Sequence, residues 1–568
     1  MTYRFIACLF FYTLFSACSV DGAADVDASG SPSGSSNSQI DIKRLSSIVK
    51  TLASDEFEGR APGGLGEEKT VAYLIERFQS LGLQPGGDNG KWTQAVPLIH
   101  TQVQGPANVE IKTAQGNQVL EQARDIEFST TRPVERIDIQ NADLVFVGFG
   151  ADAPERDWDD FGDIDLNGKV AIFLVNDPDF AASSSEPVAG RFGNRRMTYY
   201  GRWTYKFEEA ARRGAIAALV IHETEAAGYG WNVASSSPGE NYSIVSKPGD
   251  IAPVMLRGWL HGDAATSLFE AAGLNLSQQR ELARRPEFKA FTLANVSFSA
   301  DLSVSEERIM SQNVLAVLPG SSHSDESIMV SAHWDAYGLG EPDAQGRTVR
   351  PGANDDALGM AGVLELARVL SNGPAMERSV VFAAWTAEES GLLGSEAYAN
   401  NPIYPLEKTV ANLTLDILQT AGLARDVILV GEGQSELEND LKLAAAQQGR
   451  VVTPENLPEN GLFFRADHFS VARRGVPVLL IMGIAGGADL IDGGRAAGDQ
   501  WIADYTGTCY HQTCDEWSSD WDLRGAAQDI SLFKTIIQDL GNSRRWPQWY
   551  EGSEFKALRD SSSSMRQE

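Results

Sequence analysis

The chain has 568 residues, too many for one ordinary hydrophobic core, so two globular units with tails are expected. Its composition is ordinary for a globular protein, at 43% hydrophobic and 22% charged. A net charge of −30 argues against nucleic acid as a partner, because nothing in such a chain neutralises phosphates. It fits either an exported protein that meets neutral or cationic peptides, or acidity that serves solubility alone.

Residues 1–18 read as a targeting segment. Arg4 precedes an apolar run from Phe5 to Phe15, too short to span a bilayer, and Ser16, Ala17 and Cys18 follow. This resembles a bacterial lipoprotein signal, with Phe15 where Leu is usual and Cys18 as the lipidation candidate. Residues 19–39 are rich in Ser, Gly, Ala and Asp and read as a flexible tether. The expected location is the periplasmic side of a bacterial membrane as a lipoprotein, or otherwise secretion. The only expected membrane contact is the lipid anchor.

The stretch Ile40–Leu83 predicts helices with a break near Ala61–Gly66; Val71, Leu74, Ile75, Phe78 and Leu81 recur at helical spacing, and Gly82 supplies a stop. From 141 to 287 the texture changes to short β-like runs (Leu144–Val147, Val170–Val175, Ile251–Met255), with a helix near Tyr205–Arg213 leading into the strand Ala215–Ile221. These residues read as an insert, with 40–140 and 288–545 forming one discontinuous unit around it. After it, strand and helix signals alternate, which argues for an α/β sheet. Asn313–Leu318, Ile328–Ala332, Val380–Trp385, Thr409–Ile417, Val427–Val430 and Val476–Met482 are strand-like, and Met360–Leu370 is an apolar helix. Ser435 with Glu438 has the form of a capping box opening a helix to Gln448. The tail 546–568 is polar and expected to fray, with Trp546 and Trp549 able to dock.

Five metal-type side chains fall in the C-terminal half: His333, Asp355, Glu389, Asp416 and His511. Most sit where predicted strands end, the place at which open α/β sheets build their sites. Asp355 lies in a Gly-Ala-Asn-Asp-Asp turn that opens a helix. Carboxylate oxygens and imidazole nitrogens suit zinc, manganese or cobalt. Two such ions roughly 3.5 Å apart need a bridging carboxylate, and together they generate hydroxide near neutral pH and polarise a carbonyl. Glu388 beside Glu389 divides into a base and a ligand. Asp335 is placed to accept the second N–H of His333, and Asp515 to do the same for His511. Cys509 and Cys514 could close a disulfide loop around His511 or join it as a thiolate metal knot, which lacks a fourth ligand. Any one of these residues alone reads as a surface or capping group; the ordered set carries the argument, in a chain with only 7 His.

In combination, Ser331-Ala-His333-Trp-Asp335, Gly352-Ala-Asn-Asp355-Asp-Ala-Leu-Gly359, Glu388-Glu389-Ser-Gly-Leu-Leu-Gly-Ser395, Asn412-Leu-Thr-Leu-Asp416 and Tyr510-His511 resemble the secreted di-zinc aminopeptidases, whose relatives include glutamate carboxypeptidases and glutaminyl cyclases. The segments Leu52–Arg60 and Arg465-Ala-Asp467-His468 are similar to bacterial members. The resemblance covers roughly 40–140 and 300–540. It implies a mixed-sheet, three-layer zinc-exopeptidase domain (phosphorylase/hydrolase-like) holding two zinc ions. Asp355 would bridge them, with His333 and Asp416 on one and Glu389 and His511 on the other. Glu388 would be the general base, Asp335 would steer His333, and Tyr510 would stabilise the oxyanion. Leu358 and Ala466 stand where Ser is frequent, which blurs the specificity pocket. The insert, through Lys206–Arg213 and Gly214–Val220, resembles a mainly β protease-associated domain. The expected activity is removal of N-terminal residues from peptides. The alternatives are a carboxypeptidase of the same fold or a non-catalytic binding protein.

Overall fold

The computed structural model describes residues 38–235 and 239–566. The signal segment with Cys18, and nearly all of the 19–39 tether, lie outside the described residues. Among those described, no helix is long and apolar enough to cross a membrane. The helix Ile42–Leu52 starts on Asp41, whose carboxylate accepts the N–H groups of Lys43 and Arg44, and it buries Leu45, Ile48, Val49 and Leu52. A short 3₁₀ segment, Asp55–Arg60, precedes the second helix, Leu65–Ser80, so the break falls where the sequence places it.

Four adjacent parallel strands follow the order Val478–Met482, Thr409–Asp416, His323–His333 and Arg378–Trp385. Every residue of Thr409–Asp416 and Arg378–Trp385 is buried, as expected for a parallel sheet covered on both faces. One cover is built from Ile42–Leu52, Leu65–Ser80, Leu358–Ser371 and Arg524–Gly541. The other contains Tyr398, Phe469 and Trp549. The result is a three-layer α/β/α unit.

The strand Phe291–Leu318 continues this sheet outward. Its end, Val314–Leu318, runs antiparallel to Arg378–Trp385, and its first half runs antiparallel to Arg136–Phe146. Along most of its length it also pairs with Thr93–Thr113. Beyond it comes a second parallel run, Arg136–Phe146, Val170–Leu174, Ala217–His222 and Leu256–His261. Leu144 and Phe146 face one apolar cluster there, Val145 and Val147 another. The first of these clusters also takes in Val109, Ile111, Ile137 and Ile139, so residues before 141 share the insert's core. The helix Trp203–Arg212 lies between its strands.

Four local expectations change. The strand expected at Ile251–Met255 begins instead at Leu256, because Pro253 brings no ladder N–H. Asp426–Leu429 is a strand, but it pairs with Val451–Pro454 apart from the main sheet. As far as Arg566 the tail is folded: Trp549 docks, buried, with its indole N–H donating to Gly475 O (2.9 Å), and the helix Lys556–Ser561 follows. The capping box is half present: Glu438 accepts the N–H groups of Gln434 and Ser435, whereas the Ser435 side chain caps nothing.

Candidate metal centre

His333 and Asp416 are the last residues of neighbouring parallel strands, and Glu388 and Glu389 follow a third that ends at Trp385. Parallel register therefore delivers these side chains to one rim of the sheet. Asp355 arrives from the turn that precedes Leu358–Ser371. His511 arrives from a loop closed by the Cys509–Cys514 disulfide, which leaves no thiolate for a metal knot. Ala387, Ile417 and His511 all have left-handed backbone (φ 51, 51 and 62°). Such geometry costs a non-glycine residue on the order of 1 kcal/mol, and it occurs here at the donor His511, directly after the donor Asp416 and directly before Glu388.

The Asp355 carboxylate lies between two imidazoles. Its Oδ1 is 3.1 Å from His333 Nε2 and its Oδ2 is 3.2 Å from His511 Nε2. His511 Nε2 is also 3.4 Å from Glu389 Oε2. Two donor groups result, His333–Asp355–Asp416 and Asp355–Glu389–His511, each with ligand atoms within 4.8 Å of one another. Asp355 belongs to both. Glu388 belongs to neither; its Oε2 lies 3.9 Å from His333 Nε2.

These residues fit a pair of divalent cations. The Oε1 atom of Glu389 is buried without a hydrogen-bond partner, a costly state for an ionised carboxylate unless a cation meets it. Burial, reinforced by the charges of Asp355 and Glu388, pushes Glu389 well above the carboxylate range. Burial and Asp355 push Asp416 up to about 8. Burial would lower His333, yet Glu388 and hydrogen bonds to Asp335 and Asp355 carry it well above the usual histidine value. Asp355 would also rise on burial, but hydrogen bonds from His333 and His511 hold it below the ordinary range. The raised values of Glu389, Asp416 and His333 express an excess of buried negative charge, which bound cations relieve, whereas the lowered Asp355 reflects its two imidazole partners.

The surroundings orient this set. His333 Nδ1 is 3.2 Å from the Asp335 carbonyl and 3.6 Å from Asp335 Oδ1, which directs Nε2 toward Asp355. The Asp335 carboxylate also accepts the N–H groups of Glu388 (3.1 Å) and Glu389 (3.3 Å), fixing the turn that aims both. Asp515 does not serve His511. Instead it accepts the N–H groups of Asn354 and Asp355 and the hydroxyl of Tyr505, so it shapes the Asp355 turn. The partner of His511 Nδ1 is Tyr337 Oη at 3.0 Å, a contact with no sequence signal. Tyr510 stacks against His511 with ring centroids 3.6 Å apart. Burial, then Asp355, raises its phenol well above 10, so the hydroxyl keeps its proton for donation.

Sequence reasoning also left Arg60 without a role. It is wholly buried, and its guanidinium donates to Trp334 O, Leu52 O, Pro351 O and Gly352 O. One side chain thus ties the strand end after His333 to the turn before Asp355. Asp356 adds a second tie, accepting N–H groups from His333, Gly359 and Ile417. Leu358 and Ala466 are both fully buried in apolar clusters.

Residues 313–533 match the model of Peptidase family M28. The probable lipoprotein aminopeptidase LpqL of Mycobacterium tuberculosis is 31% identical over 157 residues, 27% of this chain and 27% of that protein. Leucine aminopeptidase 2 of Trichophyton rubrum is 29% identical over 173 residues, 29% of this chain and 32% of that protein. The chain therefore aligns with about a third or less of the length of these curated relatives. An aminopeptidase structure from Aneurinibacillus sp. strain AM-1 superposes with a TM-score of 0.49 at 19% identity, covering 89% of this chain and 95% of that one.

Proposed function

We propose, from the match of residues 313–533 to the model of Peptidase family M28, that the chain is a metallo-aminopeptidase that removes N-terminal residues from peptides. One observation carries the reading: a single buried carboxylate, Asp355, is shared by two complete donor groups while Glu388 stands beside them unshared. His333 and Asp416 would hold one ion, Glu389 and His511 the other, and Asp355 both. Zinc suits this mixture of imidazole and carboxylate, and manganese or cobalt are also compatible. When bound, such ions acidify a water and polarise the scissile carbonyl.

The chain's own groups then divide the remaining work. Glu388 takes a proton from the attacking water and delivers it to the leaving amine. Its buried, acid-rich setting holds its pKa well above 4.5, in keeping with a group that must both take up and release a proton. The Tyr510 hydroxyl donates to the oxygen that gains negative charge. Export with lipid attachment at Cys18 completes the proposal; it is supported by the Arg4-to-Cys18 pattern and by the likeness to LpqL, a probable lipoprotein aminopeptidase.

The test is Glu388→Gln, with metal content measured beside turnover of leucine p-nitroanilide. The variant is expected to keep its metal and lose roughly 10²–10⁴-fold in kcat. Full activity in that variant would remove Glu388 from the mechanism, and a wild-type chain that binds no divalent metal would remove the function.

A further inference from the structure

The two imidazoles of the donor groups are held in different ways. His333 ends a buried strand and its side chain is 1% exposed, whereas His511 comes from a loop and is 27% exposed. Backbone and burial fix the first ring, so the orientation of the second falls to side-chain contacts. Among the described residues, the hydrogen-bond partner of His511 Nδ1 is Tyr337 Oη, at 3.0 Å. The same phenol ring packs on the imidazole, with centroids 4.5 Å apart.

Tyr337 is itself firmly placed. It belongs to residues 333–337, which leave the end of the strand His323–His333. Trp334 anchors this stretch: it is fully buried, its indole N–H donates to Gln312 O (3.0 Å), and its backbone N–H donates to Trp385 O (2.8 Å). Directly after Tyr337 the chain turns at Gly338, where φ is +69° and a Cβ would fall 2.6 Å from Ala61 Cβ. His333, Asp335 and Tyr337 alternate with Trp334 and Ala336, and each meets a different part of the metal centre. His333 faces Asp355, Asp335 accepts the N–H groups of Glu388 and Glu389, and Tyr337 meets His511.

His511 Nε2 faces Asp355 Oδ2 (3.2 Å) and Glu389 Oε2 (3.4 Å), so this is the nitrogen that a cation held by that group would meet. A neutral imidazole that offers Nε2 to a metal carries its proton on Nδ1. That N–H needs an acceptor, and the Tyr337 oxygen stands in the place for it. Rotating the imidazole by half a turn about its bond to Cβ would put a carbon where Nε2 now stands. Ring packing alone tolerates that rotation, whereas the hydrogen bond to Tyr337 opposes it.

We propose that Tyr337 is a positioning residue for His511: its hydroxyl accepts the Nδ1–H and keeps Nε2 aimed at Asp355 and Glu389, so it sets the affinity of one metal position and leaves the other untouched. The inference rests on the metal pair of the peptidase reading and not on which peptide is cleaved. Tyr337→Phe keeps the ring and removes only the oxygen. Zinc binding to the metal-free full chain is measured by competition with a chromophoric chelator. The wild type is expected to take two ions; in Tyr337→Phe one of them binds about 10–100-fold more weakly and the other as before. Glu389→Gln keeps the ion at His333 and Asp416, and adding Tyr337→Phe to it is expected to change that ion's affinity by less than about two-fold.

Unchanged affinity for both ions in Tyr337→Phe, an equal fall for both, or a fall that persists in the Glu389→Gln background overturns the role of Tyr337. A wild type that binds fewer than two zinc ions overturns it together with the metal reading. Two bound ions without cleavage of leucine p-nitroanilide remove the aminopeptidase reading alone, and the zinc titration still decides Tyr337. Where that substrate is cleaved, the zinc concentration for half-maximal rate is expected to rise in Tyr337→Phe by the same factor as the weakened affinity, with kcat recovered at saturating zinc. A kcat that stays low at saturation assigns the hydroxyl to the reaction itself and overturns the positioning role.

Discussion

Glu388 and Glu389 are adjacent in the chain, yet they meet different partners because Asp335 accepts both of their N–H groups and fixes the turn between them. Glu389 Oε2 then faces His511, and Glu388 Oε2 faces His333. The same geometry makes unequal demands on the carboxylates around the site. Asp355 is common to both donor groups, whereas Glu389 serves only one. Asp355→Asn is therefore expected to lose both ions on dialysis against buffer, and Glu389→Gln to lose one and keep the other. Metal content per chain by elemental analysis checks this. Equal stoichiometry in the two variants would mean that Asp355 is not the shared ligand.

At the scale of elements, the site depends on ties between segments far apart in sequence. Arg60 is the clearest: its guanidinium serves four carbonyls, two of which flank the donors His333 and Asp355. Arg60→Met leaves those buried acceptors unpaired, at a cost of about 3 kcal/mol or more, and loosens both donors. Urea unfolding is expected to show the loss of stability and metal titration a weaker affinity; a variant of unchanged stability would show that water or neighbours satisfy the carbonyls. Such ties explain what the sequence revealed and what it hid. His333, Asp416, Glu388 and Glu389 were legible because each ends or follows an apolar strand, a local pattern. Arg60 stood in a recognisable segment but without a role, because its partners lie up to 292 residues away. Asp515 was assigned to His511 by nearness in sequence, yet the left-handed backbone at His511 turns the chain so that Tyr337 takes that place.

At the scale of the whole molecule, the alternation of strands and helices after residue 313 was legible, while the two longest strands were not. Thr93–Thr113 contains Pro97, Gly105 and Pro106, which read as breakers, yet antiparallel pairing with Phe291–Leu318 carries it through. Within Phe291–Leu318 the buried residues Val296, Phe298, Ala300, Leu302 and Val304 alternate with Ser297, Ser299, Asp301 and Ser303, a period of two that sequence reasoning missed. Phe291–Leu318 joins two parallel blocks into one sheet, at whose rim the acids gather. Burial first, with neighbouring negative charge, raises Asp416 to about 8 and Asp467 and Asp515 to about 7. Their unfolded values lie near 3.9. The folded, metal-free chain therefore binds protons that the unfolded chain releases, and stability present at about pH 4 is lost as pH rises through 7 to 8. A second buried group, Lys206 with Asp160 and Asp177, titrates in the same window. It lies in the insert and is independent of metal, so it cancels when loaded and stripped protein are compared. Bound cations favour the ionised acids and remove the loss. Thermal unfolding between pH 5 and 8.5 is thus expected to show a midpoint that falls by several degrees in the chelated protein relative to the loaded one, with the gap widening toward high pH. A gap that stays constant across that range would show that the acids are not charge-compensated by metal.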